Sequence, residues 1–371
     1  MIPIAKPLIG PDEQAAVAEV LASGMLAAGP RVHEFERVFA DYCHASEGVA
    51  CSSGTAGLCI AVQALNLPPG SKILTTPFSF IATANCILAG GHIPVFIDID
   101  PDTFMMSAAD VKRALEADPA IRAILPVHLY GQACEIHEIT AIAHAHHAYV
   151  IEDCAQAHGA MEDGDPVGAI GDLGIFSFYP TKNMMTGEGG MLTGSDPELV
   201  NRCRMITNHG APARYQHTML GFNYRMTSMA AAIGLCQIKR LPAWNERRRR
   251  NAETLSAQLA DLPWLSVPYA RPNCYHVYHQ YVLQVSDRAR LQQHLKDAGI
   301  GTDVHYPCTI PDQAFYRGLG YTSEHLPVAV HATTRVLSLP VHPAVSEDDL
   351  ATIVAAVRAF VPADISSLVS V

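Results

Sequence analysis

The sequence between residues 49 and 193 alternates short apolar runs with helical patterns, in units of roughly 25 residues. Lys72–Thr76 and Pro94–Asp98 have the length and composition of buried strands, and Ile81–Ala89 between them has the pattern of a helix. Repeated strand–helix units of this kind are typical of parallel sheets covered by helices. The alternation therefore predicts an α/β fold with a large, mostly parallel sheet in an α/β/α arrangement.

Two apolar runs in the middle of the chain each end close to a charged side chain. Ala148–Ile151 leads to Asp153, and Ile175–Tyr179 ends three residues before Lys182. Because ligands of an open parallel sheet lie outside the carboxyl ends of its strands, both side chains are expected in one crevice. A lysine can hold a pyridine aldehyde cofactor as a Schiff base, and a carboxylate can keep the ring nitrogen protonated. The pair predicts an enzyme that uses pyridoxal 5'-phosphate.

Residues 53–57 join a short predicted strand directly to a predicted helix. Free backbone N–H groups at the start of a helix bind phosphate, and Gly54 and Thr55 would provide them together with the hydroxyl group of Ser177. An ordinary Ser/Thr helix cap explains this segment about equally well when it is taken alone. Phe80, which follows another predicted strand, would provide a flat apolar partner for the cofactor ring.

The composition changes near residue 245, and we place the boundary between two domains there. Residues 1–245 are expected to form a large cofactor-binding domain with an N-terminal arm, and residues 246–371 a smaller α+β domain. A helical pattern over residues 228–259 continues past Pro242 and crosses this boundary. Within the smaller domain, Gly301–Tyr306 is predicted as a strand.

The charge balance argues against nucleic acid as a partner. The 371 residues carry a formal net charge of −11, whereas a nucleic-acid-binding protein has a basic surface. The one basic run, Arg247–Arg250, lies in a helical pattern and is expected to be a solvated helix face. Only 16% of the residues are charged and 49% are hydrophobic, which favours a protein that hides much of its surface by oligomerising.

Cysteine usage and the distribution of apolar runs predict the cellular compartment. The 10 cysteines are scattered without a C-x-x-C pair and are expected to be reduced thiols. The N-terminus lacks the basic start and apolar core of a signal peptide, and no uncharged apolar run reaches about 18 residues. We therefore expect a cytoplasmic protein without a membrane-spanning segment.

Several motifs resemble those of the DegT-type sugar aminotransferases, which are fold-type I pyridoxal-phosphate enzymes. The four longest are Ser52–Leu58, Thr76–Thr83, Glu152–Ala160 and Ser177–Asn183. Shorter matches extend the resemblance over nearly the whole chain, at Thr186–Gly190, Gly221–Met226, His305–Pro307 and Ser338–Pro340. The resemblance implies the fold-type I architecture, with a large sheet domain and a smaller C-terminal domain.

The resemblance also implies roles for the residues around the cofactor ring. Lys182 is the Schiff-base lysine, and Asp153 is the partner of the pyridinium nitrogen. Phe80 stacks on the ring, and Gln156 lies against the opposite side near the ring hydroxyl group. Some related proteins have a histidine in place of Lys182 and catalyse dehydration, so the lysine favours transamination.

The resemblance extends to the phosphate group, the subunits and the substrates. Gly54, Thr55 and Ser177 match the phosphate-binding residues of the family. Asn223 matches an asparagine that reaches the phosphate from the neighbouring subunit, which implies a homodimer with shared active sites. The family's usual reaction moves an amino group from L-glutamate to a nucleotide-linked keto-sugar, and a 4-keto-6-deoxy hexose is the expected acceptor here.

Other functions are compatible with parts of the sequence. The same motifs occur in pyridoxal-phosphate aminotransferases of keto-cyclitols and in amino-hydroxybenzoate-type synthases. A nicotinamide-dependent dehydrogenase would need G-x-G-x-x-G after the first strand, and no segment has this spacing. A regulatory protein without catalysis would be expected to lack Lys182 or Asp153. No metal site is expected, because the histidines of segment 144–147 do not share one helix face.

Overall fold

The computed structural model of the protein describes residues 1–363. The elements that precede residue 240 are, in chain order, α1 (Pro11–Ser23), α2 (Pro30–Tyr42), β1 (Glu47–Cys51), α3 (Gly54–Ala64), β2 (Lys72–Thr75), α4 (Ala82–Ala89), β3 (Ile93–Phe96), α5 (Ala108–Ala117), β4 (Ile121–Leu125), α6 (Ile136–Ala145), β5 (Tyr149–Asp153), β6 (Met161–Glu162), β7 (Asp165–Pro166), β8 (Leu173–Ser177), β9 (Gly190–Gly194), α7 (Pro197–Thr207) and α8 (Ser228–Gln237).

Seven of these strands form one sheet in the order β1–β9–β8–β5–β4–β2–β3. The pairs β2–β3, β2–β4, β4–β5 and β5–β8 are parallel, and β9 alone runs against its two neighbours. Because β5 and β8 are parallel neighbours, the segments that follow them leave the sheet at the same edge. The prediction of a mostly parallel α/β sheet is confirmed.

Alternate side chains of each strand enter different hydrophobic cores. In β5, Val150 packs into the core that contains α5 and α6, whereas Ile151 packs into the core that contains α3 and α7. This follows from the two-residue period of a strand, which turns successive side chains to opposite faces. The strands read as continuous apolar runs because helices cover both faces of the sheet.

An aromatic cluster lies between α2 and β8. The Phe39 ring is 4.8 Å from the Phe176 ring and 5.2 Å from the Phe178 ring, measured between centroids, with edge-to-face geometry. Phe35 joins the cluster at 5.3 Å from Phe178. These buried contacts fix the end of β8, from which the chain continues to Lys182.

The second part of the chain builds a smaller sheet and core. Its elements are α9 (Leu241–Leu259), β10 (Leu265–Ser266), β11 (Cys274–Tyr275), β12 (Tyr281–Val285), α10 (Arg288–Asp297), α11 (Ala314–Gly318), α12 (Pro327–Arg335), β13 (Val336–Leu339) and α13 (Glu347–Ala359). Strands β10, β12 and β13 form an antiparallel sheet, whose core includes Trp264, Tyr281 and Leu295. The N-terminal arm reaches this part of the chain, where Ile2 pairs with Ile300.

The predicted domain boundary at residue 245 falls inside α9. Near the start of this helix, the Asn245 side chain donates a hydrogen bond to the carbonyl group of His158 at 2.7 Å. Near its end, Leu255 and Leu259 belong to the core of the smaller sheet. One helix therefore connects the two cores. The division into 1–245 and 246–371 stays a prediction, and its last residues, 364–371, lie outside the described part.

Two predicted elements differ from the structure. The helix predicted over 228–259 is broken between α8 and α9, because Pro242 has no N–H group to continue a helix and instead occupies the first turn of the next one. The predicted strand Gly301–Tyr306 is wrong: within it only Asp303 pairs with a neighbouring strand, at Ser338. Beyond Asp303 the chain leaves the sheet and follows the wall of a cavity.

The prediction for the basic run Arg247–Arg250 is also wrong in part. Arg248 is only 5% exposed, and its guanidinium group donates hydrogen bonds to the carbonyl groups of Tyr278 and His279. Arg250, by contrast, is exposed. The helical pattern did not reveal the burial of Arg248, because the carbonyl groups that satisfy it come from a segment 30 residues further along the chain.

The cysteines of residues 1–363 form no disulfide bond, and most of them are buried. All 10 cysteines are free thiols, and six of them are buried. Burial raises the pKa of the Cys51 and Cys203 thiols to about 12, which keeps both protonated. Among residues 1–363, no helix combines the length and the apolar composition needed to cross a bilayer.

The carboxylate of Glu152 holds the end of β5 against the segment that leads into β8. It accepts hydrogen bonds from the N–H groups of Gly168 at 2.8 Å, Ile170 at 2.9 Å and Gly171 at 2.7 Å. The Nε2 atom of His128 lies 2.9 Å from the same carboxylate. Glu152 is fully buried, so these partners replace water for a charge that could not otherwise be accommodated.

We expect Glu152→Gln to destabilise the protein by about 2 kcal/mol or more, because an amide NH2 group would then face backbone donors inside the protein. Urea denaturation followed by circular dichroism measures the loss. Glu138→Gln, on the exposed face of α6, is the matched control and should leave the midpoint unchanged. Equal midpoints for the two variants would contradict the role assigned to Glu152.

Candidate active site

A cavity of about 880 Å³ opens at the carboxyl ends of β5 and β8. Its wall consists of the start of α3, the segment before α4, the ends of β5 and β8, and two segments from the second part of the chain. Seven of the eight residues predicted for the site line it, namely Gly54, Thr55, Phe80, Asp153, Gln156, Ser177 and Lys182. The parallel pairing of β5 with β8 therefore places the acid and the amine in one crevice, as predicted.

Asp153 is the last residue of β5 and is only 4% exposed. The Thr83 hydroxyl group donates a hydrogen bond to its Oδ2 at 2.9 Å, and the Ala155 N–H group donates to Oδ1 at 3.1 Å. Burial raises the pKa of Asp153, and these donors and the nearby Lys182 counteract that rise. Among residues 1–363 no cationic side chain forms a salt bridge with this carboxylate. A protonated ring nitrogen placed here would supply the missing cation.

Lys182 stands after β8, in a turn that its N–H group closes by donating to the carbonyl group of Tyr179 at 2.9 Å. Its side chain is half-buried and lines the cavity. Burial lowers the pKa of the Lys182 amine to about 8, and the Asp153 charge acts in the opposite direction. An appreciable fraction of the amine is therefore neutral near physiological pH, as a lysine that attacks a carbonyl group requires.

The start of α3 forms a concave surface with free backbone donors. The Ser53 side chain accepts a hydrogen bond from the Ala56 N–H group at 3.1 Å, which leaves the N–H groups of Gly54 and Thr55 without intrahelical partners. Gly54 packs closely against Ser177, since a Cβ at position 54 would lie 2.6 Å from the Ser177 Cβ. Only glycine permits this approach, which brings the Ser177 hydroxyl group beside the helix start. The resulting cradle, Gly54, Thr55 and Ser177, suits a phosphate group.

Phe80 and Gln156 contribute an aromatic face and a fixed amide to the same cavity. The Phe80 side chain is 59% exposed, although most large apolar side chains near it are buried. Gln156 is held at both ends: its Oε1 accepts from the Tyr130 N–H group at 2.8 Å, and its Nε2 donates to the Tyr306 hydroxyl group at 3.0 Å. An exposed ring on the wall of a cavity is the arrangement that stacking on a flat ligand needs.

Thr83 and His279 are two of the cavity residues to which the sequence analysis assigned no role. Thr83 orients Asp153, and its Oγ1 lies 3.0 Å from the hydroxyl oxygen of Ser79, four residues earlier. The spacing of four residues between Ser79 and Thr83 places two hydroxyl groups close together, and it could have been recognised in the sequence. His279 also lines the cavity, but it reaches the site only through the packing of the second part of the chain against the large sheet. No pattern in the sequence marks it.

Asn223, the eighth predicted residue, does not line the cavity of its own chain. It is exposed in the loop after α7, where its backbone pairs with Asn208. The same loop exposes apolar side chains, with Leu220 at 69% and Phe222 at 40%. This position leaves the Asn223 side chain available to a second subunit, and its role stays a prediction.

Comparison with known proteins identifies the family. The sequence profile of the DegT/DnrJ/EryC1/StrS aminotransferase family matches residues 7–358. The chain belongs to this family. It is therefore a sugar aminotransferase that depends on pyridoxal phosphate, with the fold-type I architecture that the motifs of this DegT-type chain implied.

Individual relatives match the chain over nearly its full length. The chain is 39% identical to a pleiotropic regulatory protein of Geobacillus stearothermophilus, over 94% of each sequence. It is 37% identical to the UDP-N-acetyl-3-dehydro-alpha-D-glucosamine 3-aminotransferase of Acidithiobacillus ferrooxidans, over 92% of each. The crystal structure of DesV from S. venezuelae with a ketimine intermediate superposes with a TM-score of 0.91, at 34% identity and 93% coverage of each chain.

The residues of this DegT-type site fit pyridoxal phosphate. A Cβ at position 54 would fill the cradle beside Ser177, so the close packing there keeps space and donors for a phosphate. Asp153 would face the ring nitrogen, Phe80 would stack on the ring, and Lys182 would hold the aldehyde carbon. The phosphate, the ring nitrogen, the ring face and the aldehyde carbon would thus each meet a complementary group on the wall of one cavity.

We expect Gly54→Ala to weaken retention of pyridoxal phosphate by about tenfold or more, because the added methyl group pushes Ser177 out of the cradle. Titration of the cofactor-free protein, followed by the absorbance of the bound cofactor, measures the affinity. Gly318→Ala is the control, since a Cβ at position 318 has no atom within 4 Å. Unchanged affinity in Gly54→Ala would argue that the phosphate binds elsewhere.

Proposed function

We propose that this aminotransferase moves an amino group from L-glutamate to the keto group of a nucleotide-linked sugar, and within that class to a 4-keto-6-deoxy hexose. The observation that carries the proposal is the placement of Lys182, Asp153 and the phosphate cradle around one cavity of about 880 Å³. That volume lies in the upper part of the range for ligand pockets, so the cavity has room for the cofactor and a substrate together.

The proposed chemistry uses each side chain in a defined way. When bound, pyridoxal phosphate provides the electron sink that stabilises negative charge at the carbon of the substrate amine. Asp153 keeps a proton on the ring nitrogen, because its buried carboxylate favours a cation against it. Lys182, with its lowered pKa, moves the proton between the substrate Cα and the C4′ carbon as general acid and base.

The acceptor sugar defines a second candidate. The Acidithiobacillus ferrooxidans relative is named for amination at position 3 of a UDP-linked sugar, which makes a 3-keto nucleotide sugar the nearest alternative to the 4-keto compound. Keto-cyclitols and precursors of amino-hydroxybenzoates would use the same Lys182 and Asp153. These acceptors differ in the nucleotide and in the position of the keto group, so a substrate panel separates them.

We also propose that the working unit is a homodimer whose two sites each take Asn223 from the partner chain. Support comes from the exposed position of Asn223 outside its own cavity, in a loop that also exposes Tyr215, Leu220 and Phe222. The Gln63 side chain anchors this loop by donating to the carbonyl group of Leu220 at 2.7 Å. A loop held in place and apolar on its outside fits an interface between two copies.

The first test of the function is the absorption spectrum of the purified holoenzyme before and after L-glutamate. We expect glutamate to replace the visible band of the cofactor with one at shorter wavelength, and a nucleotide-linked 4-keto-6-deoxy hexose to restore it. Lys182→Ala should lack the original band and lose turnover by about a thousandfold or more, because the nucleophile and the general base are both removed. Lys112→Ala, at an exposed position of α5, is the control and should keep both the band and the turnover.

Each result of this test has a distinct meaning. A band that glutamate does not change would exclude glutamate as the donor. Restoration of the band by a 3-keto nucleotide sugar or a keto-cyclitol, and not by the 4-keto compound, would replace the proposed acceptor. Wild-type turnover in Lys182→Ala would overturn the mechanism.

We expect Asn223→Ala to weaken cofactor affinity by about tenfold, the effect of one lost hydrogen bond to a charged phosphate group. Asn201→Ala, at an exposed position of α7, is the control.

The decisive measurement mixes Lys182→Ala and Asn223→Ala chains at limiting cofactor. A hybrid dimer with shared sites combines both changes in one site and leaves the other intact, so activity should rise on mixing. No gain after confirmed subunit exchange would contradict shared sites.

A further inference from the structure

Seven side-chain amides are buried among residues 1–363, and six of them are hydrogen-bonded within the protein. These six are Gln132, Gln156, Asn183, Gln237, Asn245 and Asn251. The seventh, Gln280, is only 9% exposed, and its side chain makes no hydrogen bond to the described part of the chain. Buried polar groups are rarely left in this state, because burial without a hydrogen-bond partner is unfavourable. Gln280 therefore needs a partner from outside the chain.

Gln280 stands between the cavity and a small notch. It lines the cavity of about 880 Å³ and also a notch of about 20 Å³, whose wall includes Tyr130 and Val282. Both amide atoms of Gln280 keep contact with open space, since the side-chain atoms that are sealed off without a partner belong to other residues. The notch has room for about one water molecule. A ligand group therefore reaches the Gln280 amide from the cavity.

The backbone of Tyr130 joins Gln280 to the amide of Gln156. The Gln280 N–H group donates to the carbonyl group of Tyr130 at 3.2 Å, and the Tyr130 N–H group donates to Gln156 Oε1 at 2.8 Å. The other end of the Gln156 amide donates to the Tyr306 hydroxyl group at 3.0 Å. Gln280 is thus held next to the residue that is expected to lie against the cofactor ring.

The Gln280 amide fits a ligand group that both donates and accepts. Its NH2 group donates, its oxygen accepts, and both lack a partner among residues 1–363. A hydroxyl group matches both, because it has one hydrogen and two lone pairs, whereas a carboxylate group only accepts. Asp153 and Glu188 line the same cavity, so a neutral hydroxyl group is also favoured over a further negative charge.

Of the two proposed substrates, only the sugar carries hydroxyl groups. L-Glutamate has two carboxylate groups and an amine, and the amine is the group that reacts. The sugar has hydroxyl groups on the same ring as the keto carbon, which must lie beside Lys182 to react. A nucleobase also donates and accepts, but it is the end of the substrate that is farthest from the keto group. The position of Gln280 beside Gln156 therefore favours the sugar ring.

We propose that Gln280 determines specificity for the acceptor: its amide donates to and accepts from a hydroxyl group on the ring of the keto-sugar. The inference rests on the proposed function, because it takes a keto-sugar as the acceptor. It adds a residue that recognises this substrate and takes no part in the reaction with the amino donor. The amide that the protein leaves unpartnered completes its hydrogen bonds when the sugar binds.

Two substitutions at position 280 separate hydrogen bonding from shape. Gln280→Leu has a similar size and removes both the donor and the acceptor. Gln280→Glu keeps the shape and an acceptor, but it loses the NH2 group and adds a negative charge. Gln284→Leu is the matched control, because Gln284 lies outside the cavity and its Nε2 donates to the carbonyl group of Pro101 at 3.2 Å.

The first readout is the urea midpoint of the holoenzyme without substrates. Because the Gln280 amide has no partner in the protein, Gln280→Leu should keep the wild-type midpoint or raise it. A glutamine that stabilised the fold through its own hydrogen bonds would instead lower the midpoint when it is replaced. A clear loss of stability in Gln280→Leu would therefore overturn the proposal.

The second readout compares the two half-reactions. In both Gln280 variants the rate at which L-glutamate converts the cofactor band should stay within about twofold of the wild type, while kcat/KM for the keto-sugar should fall about tenfold or more. Gln284→Leu should change neither. A loss confined to the step with glutamate would assign Gln280 to the donor and contradict the proposal. So would weaker inhibition of Gln280→Leu by the nucleoside diphosphate alone, since the amide would then bind the nucleotide.

The third readout uses analogues of the nucleotide-linked 4-keto-6-deoxy hexose in which one ring hydroxyl group is replaced by hydrogen. For the wild type, one analogue should have a kcat/KM about tenfold or more below that of the parent sugar. In Gln280→Leu the same two compounds should differ by less than about twofold, because the amide that distinguishes them is gone. Equal discrimination by the two enzymes would refute the role of Gln280.

Failure of this inference and failure of the proposed function give different results. If the wild type aminates the keto-sugar and Gln280→Leu does so equally well, only the role of Gln280 is wrong. If no keto-sugar restores the cofactor band of the wild type, the proposed class of acceptor is wrong, and the role of Gln280 is rejected with it.

Discussion

The parallel pairing of β5 with β8 is the constraint on which the site depends. Ile151 pairs with Leu173 and Asp153 with Ile175, so the two strands end side by side. Neither charged residue could reach the other if the strands were antiparallel, because their carboxyl ends would then lie at opposite edges of the sheet. Glu152 stabilises the pairing of the two strands, because its carboxylate accepts hydrogen bonds from the N–H groups of the segment before β8. One buried carboxylate thus stabilises the fold, and its neighbour Asp153 lines the cavity.

Close packing, rather than charge alone, shapes the phosphate cradle. A negatively charged ligand needs donors, and the start of α3 would offer them in any sequence that begins a helix there. What is specific is the contact between Gly54 and Ser177, which joins a helix start and a strand end that lie far apart in the sequence. The aromatic cluster around Phe39 then prevents β8 from moving away. The hydrophobic core behind β8 therefore helps to keep the cradle in shape.

The sequence predicted the residues whose positions depend on the order of neighbouring segments. It did not predict the environments that depend on contacts between distant segments. Asp153 and Lys182 were predictable because each follows an apolar run, and a strand delivers its next residues to a known edge. Arg248 was misjudged, and His279 was not found, because each acquires its environment from segments that no local pattern connects. His279 and its partner Asn183 are 96 positions apart. Pro242 indicated a break between two helices, but the helical pattern on both sides of it led to the prediction of one continuous helix.

The chain of amides from His158 to His279 adds a link between the two parts of the protein. Asn245 lies on α9, the helix that joins the two cores, and its side chain bonds both to the carbonyl group of His158 and to Asn183, the residue after Lys182. Asn183 uses both of its amide hydrogens on fixed acceptors, the side-chain oxygen of Asn245 and the carbonyl group of Val277. Hydrogen bonds between amide and carbonyl groups, rather than charges, therefore join α9 to the segments that follow β5 and β8. Amide groups suit such a link because they make hydrogen bonds of fixed direction without binding or releasing protons.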